Sequence, residues 1–241
     1  MTSRAVESAL LIKPIATVIS PYREKFGVPR QPGLVPAARG YLEMLPGFAM
    51  AEAFEGLDGF SHLWVVFGFH ACQGQWRPRV RPPRLGGNRE VGVFATRSPY
   101  RPNNLGLSVL HFEGLEHAGE AGMRLVVSGL DIVHGTPVYD IKPYLPYADS
   151  LPEARGGFAG SSPSEKLDVV FSARARQQLE QQRNSTELAE LIVQSLTLDP
   201  RPAYHHDKSE GRVYGMCLSD FGVRWRISGS QAVVEGIEPL R

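Results

Sequence analysis

The chain has 241 residues, 42% of them hydrophobic, and a formal net charge of +1, enough for one large domain or a medium domain with a small appendage and too apolar for disorder. It contains no run of about 18 apolar residues, and residues 9–12 lack a following small-residue cleavage pattern. Neither a membrane span nor a signal peptide is expected, and the expected compartment is the cytoplasm.

The near-zero charge conceals a local imbalance. Arg77, Arg79, Arg81, Arg84, Arg89, Arg97 and Arg101 face the single acid Glu90 between positions 77 and 101, a segment suited to phosphate or carboxylate, with guanidinium geometry in place of point charges. The two cysteines, Cys72 and Cys217, stand in apolar surroundings and read as reduced thiols rather than a disulfide framework.

In chain order, residues 12–20 alternate apolar and polar side chains as a first strand closed by Pro21. Residues 21–40 contain Pro21, Pro29, Pro32 and Pro36 and are too long for a plain connector. They read as a binding loop with Arg30 and Gln31 as contact residues, or as a cover over a sheet edge. Residues 41–45 read as a strand, 50–57 as a short helix, and 62–70 (HLWVVFGFH) as a central strand apolar on both faces. His62, His70 and Cys72 lack a second pair at zinc-site spacing, so no metal is expected. Pro78, Pro82 and Pro83 make the tract 76–89 extended and exposed.

Residues 91–95 read as a buried strand, and the polar stretch after it, within GVFATRSPYRPNNLGLS, as a ligand-holding loop. Arg97 and Arg101 supply rigid donor forks there, and Asn103 and Asn104 supply amide edges. An ordinary turn with solvated arginines is the other reading. Residues 105–115 and 123–133 continue as strands with few helical segments between. A largely antiparallel sheet or barrel is therefore favoured over a doubly wound α/β fold. Asp131, His134, Thr136, Tyr139 and Asp140 then crowd a second site edge, or a turn held by its own hydrogen bonds.

Residues 150–165 have linker composition, which divides the chain into 1–160 and 161–241. Residues 173–182 read as one helix. Asn184 with Glu187 has capping-box spacing for a second, whose Leu188, Leu191, Ile192 and Leu196 form an apolar stripe. Strands follow at 213–218, 222–227 and 231–237. In the middle one, Val223, Trp225 and Ile227 share one face and Arg224 and Arg226 the other. Beside Arg201, Tyr204 and His205, that basic face suits an RNA backbone with a base to stack, a solvated face being the alternative.

The strings EKFGVPRQPGL, FSHLWVVFGFH, WRPRVRPPRLGG, GVFATRSPYRPN, DIVHGTPVYDIKPYLPYAD and DPRPAY, in this order over nearly the whole chain, resemble the TsaA-like tRNA (adenine-N6)-methyltransferases, which act on the threonylcarbamoyladenosine beside the anticodon. The resemblance implies a mainly β protein with some α: a β-barrel S-adenosylmethionine domain, a small α+β C-terminal domain engaging tRNA, and a homodimer. The chain has no G-x-G-x-x-G after a strand, consistent with a barrel rather than a Rossmann domain.

Carried over by matching motif, the cofactor-binding positions are Pro29, Arg30, Gln31, His70, Ala71, Arg97, Leu107, Asp131, Ile132, Val133 and His134. Asp131 and Tyr139 are the candidates for base or orienter, and Arg201, Tyr204, Arg224 and Arg226 for tRNA contact. Two positions depart from the family pattern: His134 stands where a second aspartate is usual, and Asn104-Leu105 where Pro-Ile is common. The competing expectation is a non-catalytic RNA-binding module that docks through the basic tract and the C-terminal sheet.

Overall fold

A computed structural model describes residues 10–72, 74–119, 122–163, 167–201 and 211–240. Six strands close an antiparallel barrel: β1 (Ala16–Ile19), β2 (Gly40–Met44), β3 (His62–Gly68), β6 (Leu105–His117), β7 (Met123–Ser128) and β8 (Pro137–Pro143), in the spatial order β1-β2-β7-β6-β3-β8. Between β3 and β6, the short strands β4 (Arg79–Val80) and β5 (Val91–Gly92) pair only with each other. Closure satisfies the hydrogen bonds that an open sheet leaves at its edges.

Period-two alternation fills the barrel. Leu42, Leu63, Val65, Leu110, Leu125, Val127 and Val138 are all fully buried inside it. Gly106 makes room for a ring: a Cβ there would lie 2.3 Å from the Phe67 side chain. The β6 ladder shifts register between Phe112 and Gly114, and Gly114, at φ +144°, takes the bulge.

Four of the sequence expectations for the barrel unit are corrected. Residues 50–57 form no α-helix but single 3₁₀ turns at Ala51–Phe54 and Leu57–Gly59, since Gly56 and Gly59 interrupt any longer run. Residues 91–95 give two strand residues and then a 3₁₀ turn, Val93–Ala95, in which Val93 is buried and Phe94 is 74% exposed. Their only partner is β4, which lies between Pro78 and Pro82, residues with no N–H to extend a ladder. Strand β3 is central, with a partner on each side, but its outer face is only half covered, because a barrel buries one face of each strand. Residues 137–143, read as part of a turn, are the strand that closes the barrel.

After β8 come a single α-helical turn, α1 (Pro146–Asp149), and an exposed stretch. The C-terminal unit holds β9 (Asp168–Phe171), α2 (Ala173–Glu180), α3 (Ser185–Thr197), β10 (Val213–Leu218), β11 (Phe221–Ser228) and β12 (Gln231–Pro239), with sheet order β10-β11-β12-β9. Strand β9, parallel to β12, was not anticipated: its four residues are too few to show a period. The α3 stripe of Leu188, Leu191, Ile192 and Leu196 is buried with Val223 and Trp225. Ser172 caps α2, its Oγ accepting the Ala175 N–H at 3.1 Å. Asn184 does occupy the N-cap of α3 but makes no side-chain cap bond, so the capping box is not formed.

The segment from Ser20 to Gly27 ties the two units together. Pro21 O accepts the Ser219 N–H at 2.7 Å, and Tyr22 bridges Leu218. The Glu24 carboxylate accepts the Cys217 N–H at 3.0 Å, and Arg23 pairs with Asp220 at 2.7 Å. On the barrel side, Tyr22 O accepts the His134 N–H at 2.8 Å.

Candidate functional site

One rim of the barrel gathers three loops. The turn after β7 starts at Gly129 (φ +71°), whose Cβ position lies 3.1 Å from Gly33 Cα. That approach lets the Gly33 N–H donate to Gly129 O at 2.9 Å, and it is open only to small residues. It lays residues 29–33 beside residues 130–134. The third loop is the RSPYRPN stretch, where Arg97 Nη1 donates to Gln31 Oε1. Residues drawn together at the sequence level from separate motifs, Gln31, Arg97 and Asp131, are thus neighbours.

Asp131 is the chemically distinctive group. Ser108, buried on the inner face of β6, donates its hydroxyl to Asp131 Oδ1 at 2.7 Å. Burial pushes the carboxyl up to about 6, against the opposing pull of the Ser108 hydrogen bond and the Arg97 charge. A carboxylate so placed is ionised at neutral pH yet basic enough to accept a proton.

His134, the residue singled out in the sequence as a departure from the expected aspartate, stands in the turn after β7. The Ser20 N–H points at His134 Nδ1, 3.4 Å away. Desolvation first, and then the nearby Arg23 charge, lower its pKa against the opposing pull of the Ser20 contact and of the Asp220 and Glu43 charges. Ile132 is buried, and Thr136 Oγ1 donates to Val133 O at 2.7 Å while lying 3.3 Å from His70 Nδ1. His70 and Ala71 sit in a 3₁₀ turn at the same rim, and Lys25 Nζ donates to Ala71 O at 3.1 Å. Pro29 is buried. Arg30 is exposed at the rim, within electrostatic reach of Asp199 and Arg84.

Two expected members stand apart. Tyr139 follows the inward Val138 and therefore faces the outer wall, its ring over Gly68, where a Cβ would lie 2.8 Å from the ring. Leu107, 51% exposed, is likewise on the outer face of β6. The barrel wall separates both side chains from the Ser108–Asp131 pair. Ser108 itself was not anticipated, although period two from the apolar Leu110 would have marked it as inward and polar.

In the C-terminal unit, Arg224 is exposed and Arg226 pairs with Glu235 at 2.7 Å. Arg201 does not lie on that basic face: it is 5% exposed and grips Asp199 with bonds of 2.7 and 2.8 Å. A guanidinium buried against a carboxylate is structural in this conformation. Tyr204 and His205 lie outside the described residues. Cys72 and Cys217 are free thiols. No group of three or more metal-type ligands occurs among the described residues.

Fold and site define a class: a β-barrel protein with a polar cluster at one rim and a C-terminal α+β unit fastened to that rim. The family profile of the tRNA-methyltransferase O N-terminal domain matches residues 17–150, and that of the TrmO C-terminal domain matches residues 164–240. The chain belongs to the tRNA-methyltransferase O family. It is 46% identical over 235 residues to the tRNA (adenine(37)-N6)-methyltransferase of Escherichia coli K12, covering 96% of this chain and 99% of that one. The enzyme of the same name from Eikenella corrodens is 48% identical over 179 residues, 74% of this chain and 97% of its own. A crystal structure of TrmO from Pseudomonas aeruginosa superposes with a TM-score of 0.78 at 42% identity, covering 95% of this chain and 98% of that one.

Proposed function

We propose that this protein transfers a methyl group from S-adenosylmethionine to N6 of adenosine 37 in tRNA, and that its substrate adenosine already carries the threonylcarbamoyl group. The observation that carries this reading is the placement of Asp131, desolvated, held by Ser108 and adjoining Arg97, in a chain related over nearly its full length to a tRNA (adenine(37)-N6)-methyltransferase.

The rim suits the cofactor's chemistry. Its amino-acid carboxylate calls for a fork of donors, which Arg97 and Gln31 form. Its adenosine calls for backbone polar groups, which the turn at residues 131–134 offers. Its positive sulfur calls for a nearby carboxylate, which Asp131 supplies. When bound, S-adenosylmethionine contributes an electrophilic methyl group on a sulfonium.

The protein's own part is alignment and proton removal. An adenine amine is a poor nucleophile because its lone pair is delocalised. An N6-acylated nitrogen has a more acidic N–H, and Asp131 takes that proton. Arginines of the 77–101 tract provide bidentate partners for the threonyl carboxylate. The anticodon loop is single-stranded, so the modified base is splayed out at modest cost.

A domain boundary near residue 160 belongs to the same proposal, with the C-terminal unit contributing tRNA affinity through Arg224 and Arg226. So does a homodimer acting in the cytoplasm, where its tRNA substrate resides. To test it, purified protein and S-adenosylmethionine are offered matched tRNAs with and without the threonylcarbamoyl group, and the nucleosides are analysed by mass spectrometry. Methylation of the modified tRNA alone is expected, and comparable methylation of both overturns the substrate requirement. Binding of tRNA without methyl transfer to either would instead support a non-catalytic RNA module.

A further inference from the structure

The 3₁₀ turn that precedes Arg97 holds out a largely exposed aromatic ring. Phe94 is 74% exposed, while the adjacent Val93 is buried and anchors the turn. Arg101 is fixed beside the ring: its guanidinium carbon lies 5.8 Å from the ring centroid, and its Nη1 donates to Thr96 O at 2.7 Å and to Val93 O at 3.4 Å. The turn is further closed by the Thr96 N–H and hydroxyl, both donated to Val93 O. The backbone that carries the ring is therefore braced, and a phenyl side chain has only two torsions left to fix on engagement.

Its surroundings narrow the partner. Trp76 is 50% exposed, and the Arg77 guanidinium stacks over Tyr100 at 4.7 Å. Glu90 is the only acid in the segment, and it is already engaged by Arg79 and Arg81. A positive surface alone would suit any polyanion. A positive surface set with open aromatic faces suits a single strand, whose bases have faces to stack, and is wasted on a duplex, whose bases are stacked already. Phe94 also lies only three residues from Arg97, which reaches Gln31 at the rim site. When the target adenosine leaves its stack to enter that site, the nucleotide beside it loses a neighbour.

We propose that Phe94, backed by Arg101, is the stacking platform for a nucleotide flanking the methylated adenosine, while the arginines of the adjoining tract hold the phosphates of the same loop. This inference rests on the tRNA-methylating reading and adds the element by which the loop is gripped.

The test uses the full chain and an anticodon stem-loop RNA bearing 2-aminopurine next to the target adenosine, whose fluorescence reports stacking. With wild-type protein the probe is quenched on binding. Phe94→Ala is expected to abolish the additional quench and to lower kcat/KM for RNA about tenfold, with S-adenosylmethionine affinity unchanged, and Phe94→Tyr is expected to restore both. Equal quenching and equal kcat/KM for Phe94→Ala and wild type overturn the proposal. So does a Phe94→Ala protein that keeps the quench but changes oligomeric state in sedimentation, which makes the ring a contact between copies of the chain. A wild-type protein that shows Phe94-dependent quenching yet transfers no methyl upholds the platform and sinks the methyltransferase reading instead.

Discussion

The Ser108 hydroxyl and the Asp131 carboxylate meet at 2.7 Å where the end of β7 passes β6, so a buried strand residue fixes the orientation of a group that lies beyond the strands. Replacement of Asp131 by Asn keeps the shape and removes the base. Methyl transfer should fall by at least about a hundredfold, measured in single turnover at saturating S-adenosylmethionine so that a weakened hold on the sulfonium does not enter the rate. A smaller loss would remove Asp131 from the proton-transfer role.

The same carboxyl makes a signed prediction for pH. Its pKa is raised by burial to about 6, so the folded state binds the proton more readily than the unfolded state does. The resulting stabilisation is complete below the unfolded carboxyl range near 4 and is lost as pH rises through about 6. Asp131→Asn should therefore melt above wild type at pH 7–8, and the difference should shrink as pH falls toward 4. Catalysis has the opposite dependence, with the rate of transfer rising through pH 6 as the base ionises. Paired melting curves and pH–rate profiles check both.

Arg97 is tied to Gln31 at the rim and draws down the Asp131 pKa. Charge-assisted hydrogen bonds contribute roughly 1.5–3 kcal/mol, so Arg97→Ala should weaken S-adenosylmethionine binding by about tenfold or more in calorimetry. Wild-type affinity in this variant would place the cofactor carboxylate elsewhere.

Arg224 and Arg226 share a face of β11, and among the described residues Arg226 is engaged with Glu235 while Arg224 is exposed. Arg224→Ala should accordingly reduce tRNA affinity more than Arg226→Ala. For every phosphate deprived of its arginine, the plot of log affinity against log salt should become shallower by about 1. Titrations at three or more salt concentrations decide, and equal slopes for mutant and wild type would exclude this face.

Gly106 faces the Phe67 ring, and an added methyl would lie 2.3 Å from it. Overpacking of this kind costs about 1–3 kcal/mol. Gly106→Ala should lower the denaturant midpoint without changing the denaturation slope.

The fold was legible where alternation was strong, as in β6, β10, β11 and β12, and where one apolar stripe marked α3. It was illegible where context overrode pattern. The run at residues 91–95 has strand composition but no free ladder to join, and residues 137–143 carry enough polar groups to read as a turn although their backbone closes the barrel. At the rim, the motif positions Gln31, Arg97 and Asp131 are neighbours, since side chains that reach a rim lie on loops rich in glycine and proline. Ser108 escaped notice because the alternation that places it inward with Leu110 marks its face but not its partner, Asp131, which lies 23 residues further along the chain. Tyr139 looked like a partner of Asp131 from sequence proximity, and only the in–out parity of β8 separates them. The burial of Arg201 came from Asp199 two residues earlier, an ion pair that a search for exposed cations does not weigh.

The junction segment also shields an edge. Strand β10 is one border of the C-terminal sheet, and Pro21, Tyr22 and Glu24 occupy hydrogen-bonding groups along it and at its end. Cutting the chain between the units would bare that edge, with the apolar Met216 and Leu218 on the same strand. An uncovered edge is a template for another copy of itself. The isolated C-terminal unit should thus be prone to aggregate, and the segment that joins it to the barrel rim acts also as its guard against self-assembly.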